Sequence, residues 1–284
     1  MVDFKKTVIK MKTMRELLKW AEDYALENGK EDSAVKLLLM HVTGKESYEI
    51  LADMNMQVPA EQVEEFERCV KTYVEQNIPV LYVAFSSALS GSYNSALQAV
   101  ELLKEEYPDP QVKVFDTKAA SVGEGLLVLE AVRLKNEGKT LEENLEWLEN
   151  NYLKVHSWVT VDDLKHLERG GRISKTSATL GSILNVKPII TVDQEGRLTN
   201  ISKVRGRNKS IQKIVEETVK TIVAPLEQTV YIAYAGDLES AEKTKQLLEE
   251  NIKMKEVKLY PLGPTIASHT GYGCIAIFSM GITR

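Results

Sequence analysis

The sequence is poor in the residues that mark several large protein classes. It has only two cysteines, Cys69 and Cys274, far apart along the chain. That is too few for a disulfide framework, and their spacing does not suit a zinc site. Both are expected to be reduced core residues, as in a cytosolic chain. There is no excess of positive charge: the formal net charge is −5, which argues against a broad nucleic-acid footprint. No apolar run approaches the roughly 20 residues needed to cross a bilayer. The first 20 residues carry scattered charges and no apolar core, so a signal peptide is not expected. Repeats and low-complexity segments are absent. So are the phosphate-binding G-x-x-x-x-G-K-[ST] pattern, the G-x-S-x-G elbow, a His/Cys metal cluster and an obvious acid–base carboxylate pair. What remains is an ordinary globular balance, 43% hydrophobic and 27% charged, over 284 residues. That length supports one large or two ordinary cores.

The chain is written in two periods. Up to about residue 80 the pattern is helical, apart from a possible strand at residues 7–11. Met14, Leu17, Leu18, Ala21 and Ala25 share one face, as do Val35, Leu38, Leu39 and Val42. Gly44 is placed to end the second helix. Pro59 suits the first turn of another, with a stripe of Val63, Phe66, Val70 and Tyr73, which Pro79 should end. From Val80 onward, strands alternate with helices. Strands are expected at 80–85, 112–115, 155–161, 229–235, 256–261 and 274–278, with a hairpin formed by 189–192 and 197–201. Helices are expected at 93–106, 119–137, 141–150, 208–222 and 238–252. This alternation indicates an α/β architecture. The expected division is a helical domain at 1–80, a first α/β lobe at 81–155 and a second at 156–284. Helix passes to strand at residues 77–79 without a flexible linker. The first part must therefore dock on the second or protrude stiffly from it.

Three segments could carry chemistry. Residues 85–96, FSSALSGSYNSA, join a buried-type strand to a helix. Small hydroxyl residues at a helix N-terminus make an anion cradle, because free N–H groups and the helix dipole both favour negative charge. An ordinary serine-rich N-cap turn would read the same way. Residues 164–175, LKHLERGGRISK, end a helix in two glycines and then present Arg172 and Lys175. Arg172 could hold a carboxylate or phosphate through two parallel hydrogen bonds, or could sit in solvent. A second basic cluster, KVRGR at 203–207, follows the hairpin. Residues 262–273, LGPTIASHTGYG, form a turn-rich loop around His269, close to an apolar terminal strand. A lone histidine is commonly structural, although glycines beside it allow close approach to a ligand.

These three motifs, in this order and continued by TSATLGSILNVKPIITV after LKHLERGGRISK, resemble the DegV family over about residues 80–284. The resemblance implies a two-lobed α/β fold, with one acyl chain in an apolar tunnel between the lobes and its carboxylate shown to a fatty acid kinase. It implies a ligand set of Ser87, Ser90, Gly91, Ser92, His269 and Thr270. Arg172, Arg205 and Arg207 would serve phosphoryl transfer or kinase docking. The tunnel would be lined from residues 126–129, 180–186 and the C-terminal strand. It further implies a non-catalytic cytoplasmic protein that needs no cofactor or metal, spans no membrane, binds no nucleic acid and is expected to be a monomer.

The usual opening strand of that family, and the segment that supplies a threonine to the carboxylate site, are absent. Instead, about residues 12–80 resemble the N-terminal helical domain of HemK-type release-factor glutamine methyltransferases, without that family's Asn-Pro-Pro-Tyr motif. The resemblances together imply a chimera joined near residue 80, natural or engineered, or a DegV protein whose N-terminal cap has become helical. The alternative function is a protein-interaction module, its helical half docking a partner on a DegV-like scaffold with impaired lipid binding.

Overall fold

The structure, a computed structural model, describes residues 60–173 and 185–284. The helices and strand expected before residue 60, and Lys175, lie outside the described residues. The elements named below are numbered among the described residues.

Helix α1 (Ala60–Val74) buries Val63, Val70 and Val74. Tyr73, expected in the buried stripe, is 51% exposed, because the i, i+4 step from Val70 reaches Val74 instead. Cys69 is also exposed, against the expectation of a core thiol, while Cys274 is buried. The helix stops at Val74 rather than at Pro79. Asn77 takes a left-handed φ of 55°, and the Ile78 N–H turns back to the Tyr73 carbonyl. Of the two sequence alternatives, α1 docks: Phe66, Val70 and Val74 pack with Val100, Leu103 and Val112 of the first lobe.

That lobe holds β1 (Val80–Ala84), α2 (Ser92–Glu106), β2 (Val112–Asp116), α3 (Val122–Asn136) and α4 (Leu141–Asn151). Strands β1 and β2 are parallel neighbours in register from Val80 opposite Val112 to Ala84 opposite Asp116. Both chain exits therefore lie at the same end of the sheet, and this brings Ser86 against Ala119, the Ser86 N–H donating to the Ala119 carbonyl.

The second lobe is a six-stranded sheet in the order β5-β4-β3-β8-β6-β7. Its strands are β3 (Val155–Thr160), β4 (Val186–Val192), β5 (Leu198–Arg205), β6 (Thr229–Tyr234), β7 (Glu256–Pro261) and β8 (Ile275–Met280). Helices α5 (Lys165–Arg169), α6 (Arg207–Thr221), α7 (Leu238–Asn251) and α8 (Pro264–Thr270) complete it. Only β6 and β7 run parallel. The turn-rich segment around His269, expected as a loop, is in fact the short helix α8. Pro264 stands in its first turn, where the missing N–H is harmless.

Side chains alternate across the central strands and sort the two faces. Trp158 of β3 and Ile275 and Ile277 of β8 join Ile232, Ile214, Val215 and Leu248 in a core beneath α6 and α7. The opposite residues, Ser157 and Val159 of β3 and Ala276 and Phe278 of β8, turn toward the first lobe. Three of these four are smaller than the isoleucines behind them, and this face leaves space.

Three side chains clasp the lobes by donating to main-chain carbonyls across the gap. Ser86 Oγ donates to the Gly196 carbonyl at 2.8 Å. Gly196 has φ 84°, and a Cβ there would strike the Ser86 hydroxyl. Arg284 donates across the gap to the Lys118 and Tyr152 carbonyls at 3.1 and 3.3 Å, and within its own lobe to those of Val192 and Asp193 at 3.2 and 3.1 Å. Arg172 Nε donates to the Leu89 carbonyl at 3.0 Å.

Candidate functional site

A cavity of about 300 Å³ lies between the lobes. Its walls are Val159, Ile190, Val192, Leu198, Ala276 and Phe278 from the sheet, Phe85 and Leu89 from the first lobe, and Leu262 and Ile266 beside α8. The C-terminal strand lines it as expected. Of residues 126–129, Leu126 packs on Ala276 and Phe278, Leu127 is fully buried in the first lobe, and Val128 and Leu129 are exposed. Of the third expected wall, residues 180–184 lie outside the described residues.

Ser90, Arg172, His269 and Thr270 meet at the cavity. Ser90 precedes α2. Its hydroxyl donates to Ser92 Oγ at 3.1 Å and accepts the Ser92 N–H at 3.3 Å. Arg172 follows the Gly170–Gly171 turn that ends α5, with Gly171 in the left-handed region at φ 72°. Its Nε and Nη1 donate to the carbonyls of Leu89 and Gly170. Burial lowers its pKa, and among the described residues no carboxylate pairs with it. A half-buried cation beside apolar walls, with only carbonyls as partners, is well placed to take an anion. His269 lies with Nδ1 against Gly170, and burial followed by the Arg172 charge lowers its pKa. Thr270 Oγ1 donates to the Ile266 carbonyl at 3.0 Å. Cys274 stands next to Thr270, and complete burial pushes its thiol up to about 12, so it stays protonated.

The other expected residues lie elsewhere. Ser87 accepts from Lys118 Nζ at 3.0 Å and its N–H donates to Asp116, so it belongs to a surface ion-pair cluster. Gly91 is the N-cap residue of α2, where its carbonyl accepts from the Ser95 N–H and hydroxyl. Ser92 supports Ser90 and faces a groove that α1 forms with Tyr82. Arg205 ends β5 on the surface. Arg207 is engaged by Asp237 at 3.4 Å and by the Gly273 carbonyl.

Three polar residues reach the cavity that the motif reading did not single out: Ser121, Glu124 and Ser157. Glu124 sits in the first turn of α3, where burial raises its pKa to about 7. The sequence signal was slight, a lone carboxyl inside the small and apolar run SVGEGLLVL. Among the described residues no group of three metal-ligating side chains occurs, and no helix is long and apolar enough to cross a membrane.

The architecture and motifs have close counterparts. The profile described as "Uncharacterised protein, DegV family" matches residues 57–281, and that of the PrmC N-terminal domain matches residues 16–84. A DegV domain-containing protein of Clostridium perfringens is 46% identical over 77% of this chain and 75% of its own length. The structure titled fatty acid binding of a DegV family protein from Thermus thermophilus aligns with TM-score 0.67 at 32% identity, over 78% of this chain and 77% of that one. A DegV family structure from Ruminococcus gnavus with vaccenic acid gives TM-score 0.68 at 29% identity, over 75% and 76%. The match along most of the chain, and the shared two-lobed fold, establish that this chain belongs to the DegV family.

Proposed function

We propose that the chain binds a long-chain fatty acid, its hydrocarbon in the inter-lobe cavity and its carboxylate at Ser90, Arg172, His269 and Thr270. One observation carries the reading: Arg172 brings a cation without a carboxylate partner, among the described residues, to the edge of an apolar cavity. The family relatives solved with fatty acid, or described as binding it, supply the ligand class. Each methylene buried would contribute about 0.8 kcal/mol. A carboxylate in such a place must be well hydrogen-bonded, which the guanidinium, imidazole and hydroxyls can achieve.

In this reading the chain carries its ligand and catalyses nothing. The Ser90 hydroxyl bonds to Ser92 rather than to His269, and among the described residues no carboxylate orients His269 as a catalytic base. It needs no cofactor, works in the cytoplasm as a monomer, and presents its carboxylate to a fatty acid kinase. Arg205, exposed at the end of β5, is free to meet that partner. Segment 1–80 and lobes 81–155 and 156–284 are its three units.

Solvent extraction of the purified protein followed by mass spectrometry tests the reading. A stoichiometric acyl chain is expected, and Arg172→Ala should lower its occupancy at least tenfold. A wild-type chain that carries none, and takes up none of an added fatty acid, would refute it.

A further inference from the structure

The cavity has a second polar place, where α3 meets β3. Helix α3 presses its first turn onto β3: a Cβ on Gly123 would stand 3.2 Å from both Ser157 Oγ and Val155 Cγ1, and 3.4 Å from Phe278. The next residue, Glu124, and Ser157 both line the cavity. Ser157 is 2% exposed, and among the described residues neither its hydroxyl nor the Glu124 carboxyl has a hydrogen-bond partner. Both groups open into the cavity instead of onto a protein partner.

Register places this pair along the cavity. Ser157 lies opposite Phe278 in the β3–β8 ladder. The Thr270 hydroxyl contacts the Cys274 thiol. Cys274, Ala276 and Phe278 line the cavity in succession. Four residues of strand separate Cys274 from Phe278, on the order of 13 Å. A chain whose carboxylate sits by Arg172 and Thr270 would pass Ala276 and reach Ser157 some way along its length, beside the first turn of α3 that carries Glu124.

We propose that Glu124 and Ser157 form a second subsite that takes a hydroxyl carried on the acyl chain, so that the preferred ligand is a hydroxylated fatty acid. The inference rests on the fatty-acid reading above and names the ligand more closely. Ionised or neutral, the Glu124 carboxyl accepts a hydrogen bond from an alcohol. Ser157 can donate to the same oxygen. An unsubstituted chain instead sets methylenes against two polar groups that have lost water and gained nothing. A site that hydrogen-bonds a hydroxyl disfavours the analogue lacking it. The partial exposure of Glu124 moderates the effect to on the order of tenfold.

The experiment measures equilibrium binding of stearate and of hydroxystearates with the hydroxyl at successive positions, using the full chain. At least one isomer hydroxylated in the middle third should bind about tenfold more tightly than stearate. Glu124→Leu should abolish that preference while stearate binding is kept or improved, which also shows that the variant is folded. Glu124→Gln should retain the preference, and Ser157→Ala should reduce it. The proposal is overturned if no isomer exceeds stearate, or if the preference survives Glu124→Leu. Binding of stearate without preference refutes the subsite alone. Binding of no acid at all refutes the fatty-acid reading, and the subsite with it.

Discussion

Gly170→Ala should disable the carboxylate group without disturbing the fold. Gly170 has φ −72° and ψ −9°, a conformation open to any residue, so alanine adds no backbone strain. Its new Cβ, however, would overlap His269 Nδ1 and stand 3.1 Å from Cε1. The imidazole would have to leave its place. Loss of one hydrogen bond to a bound carboxylate costs about 1.5–3 kcal/mol. That is a rise of roughly tenfold to a hundredfold in the fatty-acid Kd. Stability should change by less than about 1 kcal/mol, since no buried contact is removed. Gly171→Ala is the contrasting control. Its φ of 72° strains an alanine by about 1–2 kcal/mol, but the substitution does not address His269. Calorimetric titration with one fatty acid, paired with urea unfolding, reads both quantities. If His269 is the mediator, combining Gly170→Ala with His269→Ala should add little to either alone. A Gly170→Ala protein that binds as tightly as wild type would refute the assignment of His269 to the ligand.

Three further outcomes are expected. Glu124 is more acidic in the unfolded chain than in the folded one, so the folded state binds the extra proton between about pH 4.5 and about pH 7. Its contribution to stability is full below about pH 4.5 and is lost as pH rises through about 7. Urea unfolding should therefore show Glu124→Gln gaining on wild type by on the order of 1–2 kcal/mol between about pH 5 and pH 8, a value discounted for partial exposure; an unchanged difference would contradict it. Arg284→Ala removes donors to four carbonyls on both lobes and should lower unfolding stability by roughly 2–3 kcal/mol, read by thermal or urea denaturation. A maleimide should modify Cys69 at once and Cys274 only as the chain unfolds, which timed mass spectrometry can follow.

The second lobe was readable because its strands alternate apolar and polar residues or carry short apolar runs, and its turns are marked by Gly, Asn and Asp. The β4–β5 hairpin and the strand at Thr229–Tyr234 stand where periodicity put them. What periodicity does not carry is which of two similar neighbours is buried. It exchanged Tyr73 for Val74 and gave Cys69 a core place, because a helix face is set by its docking partner rather than by its own stripe. Helix α8 was hidden because Gly, Pro, Thr and Ser mark turns and short helix starts alike. At the site, Ser90, Arg172 and His269 belong to motifs conspicuous in themselves. Glu124 lies in a helix that is apolar on several sides, where one carboxyl among valines and leucines gives no spacing signal. Its role appears only when β3 is set against α3.

The clasp between the lobes has a bearing on mutational drift. Ser86, Arg172 and Arg284 reach across the gap to backbone oxygens of Gly196, Leu89, Lys118 and Tyr152, and Arg284 also holds those of Val192 and Asp193 in its own lobe. Every amino acid carries such an oxygen, so substitution cannot erase the receiving half of these bonds. The hinge between the lobes is thus fragile at three codons and permissive at most of those that answer them. Gly196 is the exception, where any side chain would collide with the serine that grips it. Cavity residues other than Arg172 can be exchanged while the bonds that join the lobes remain.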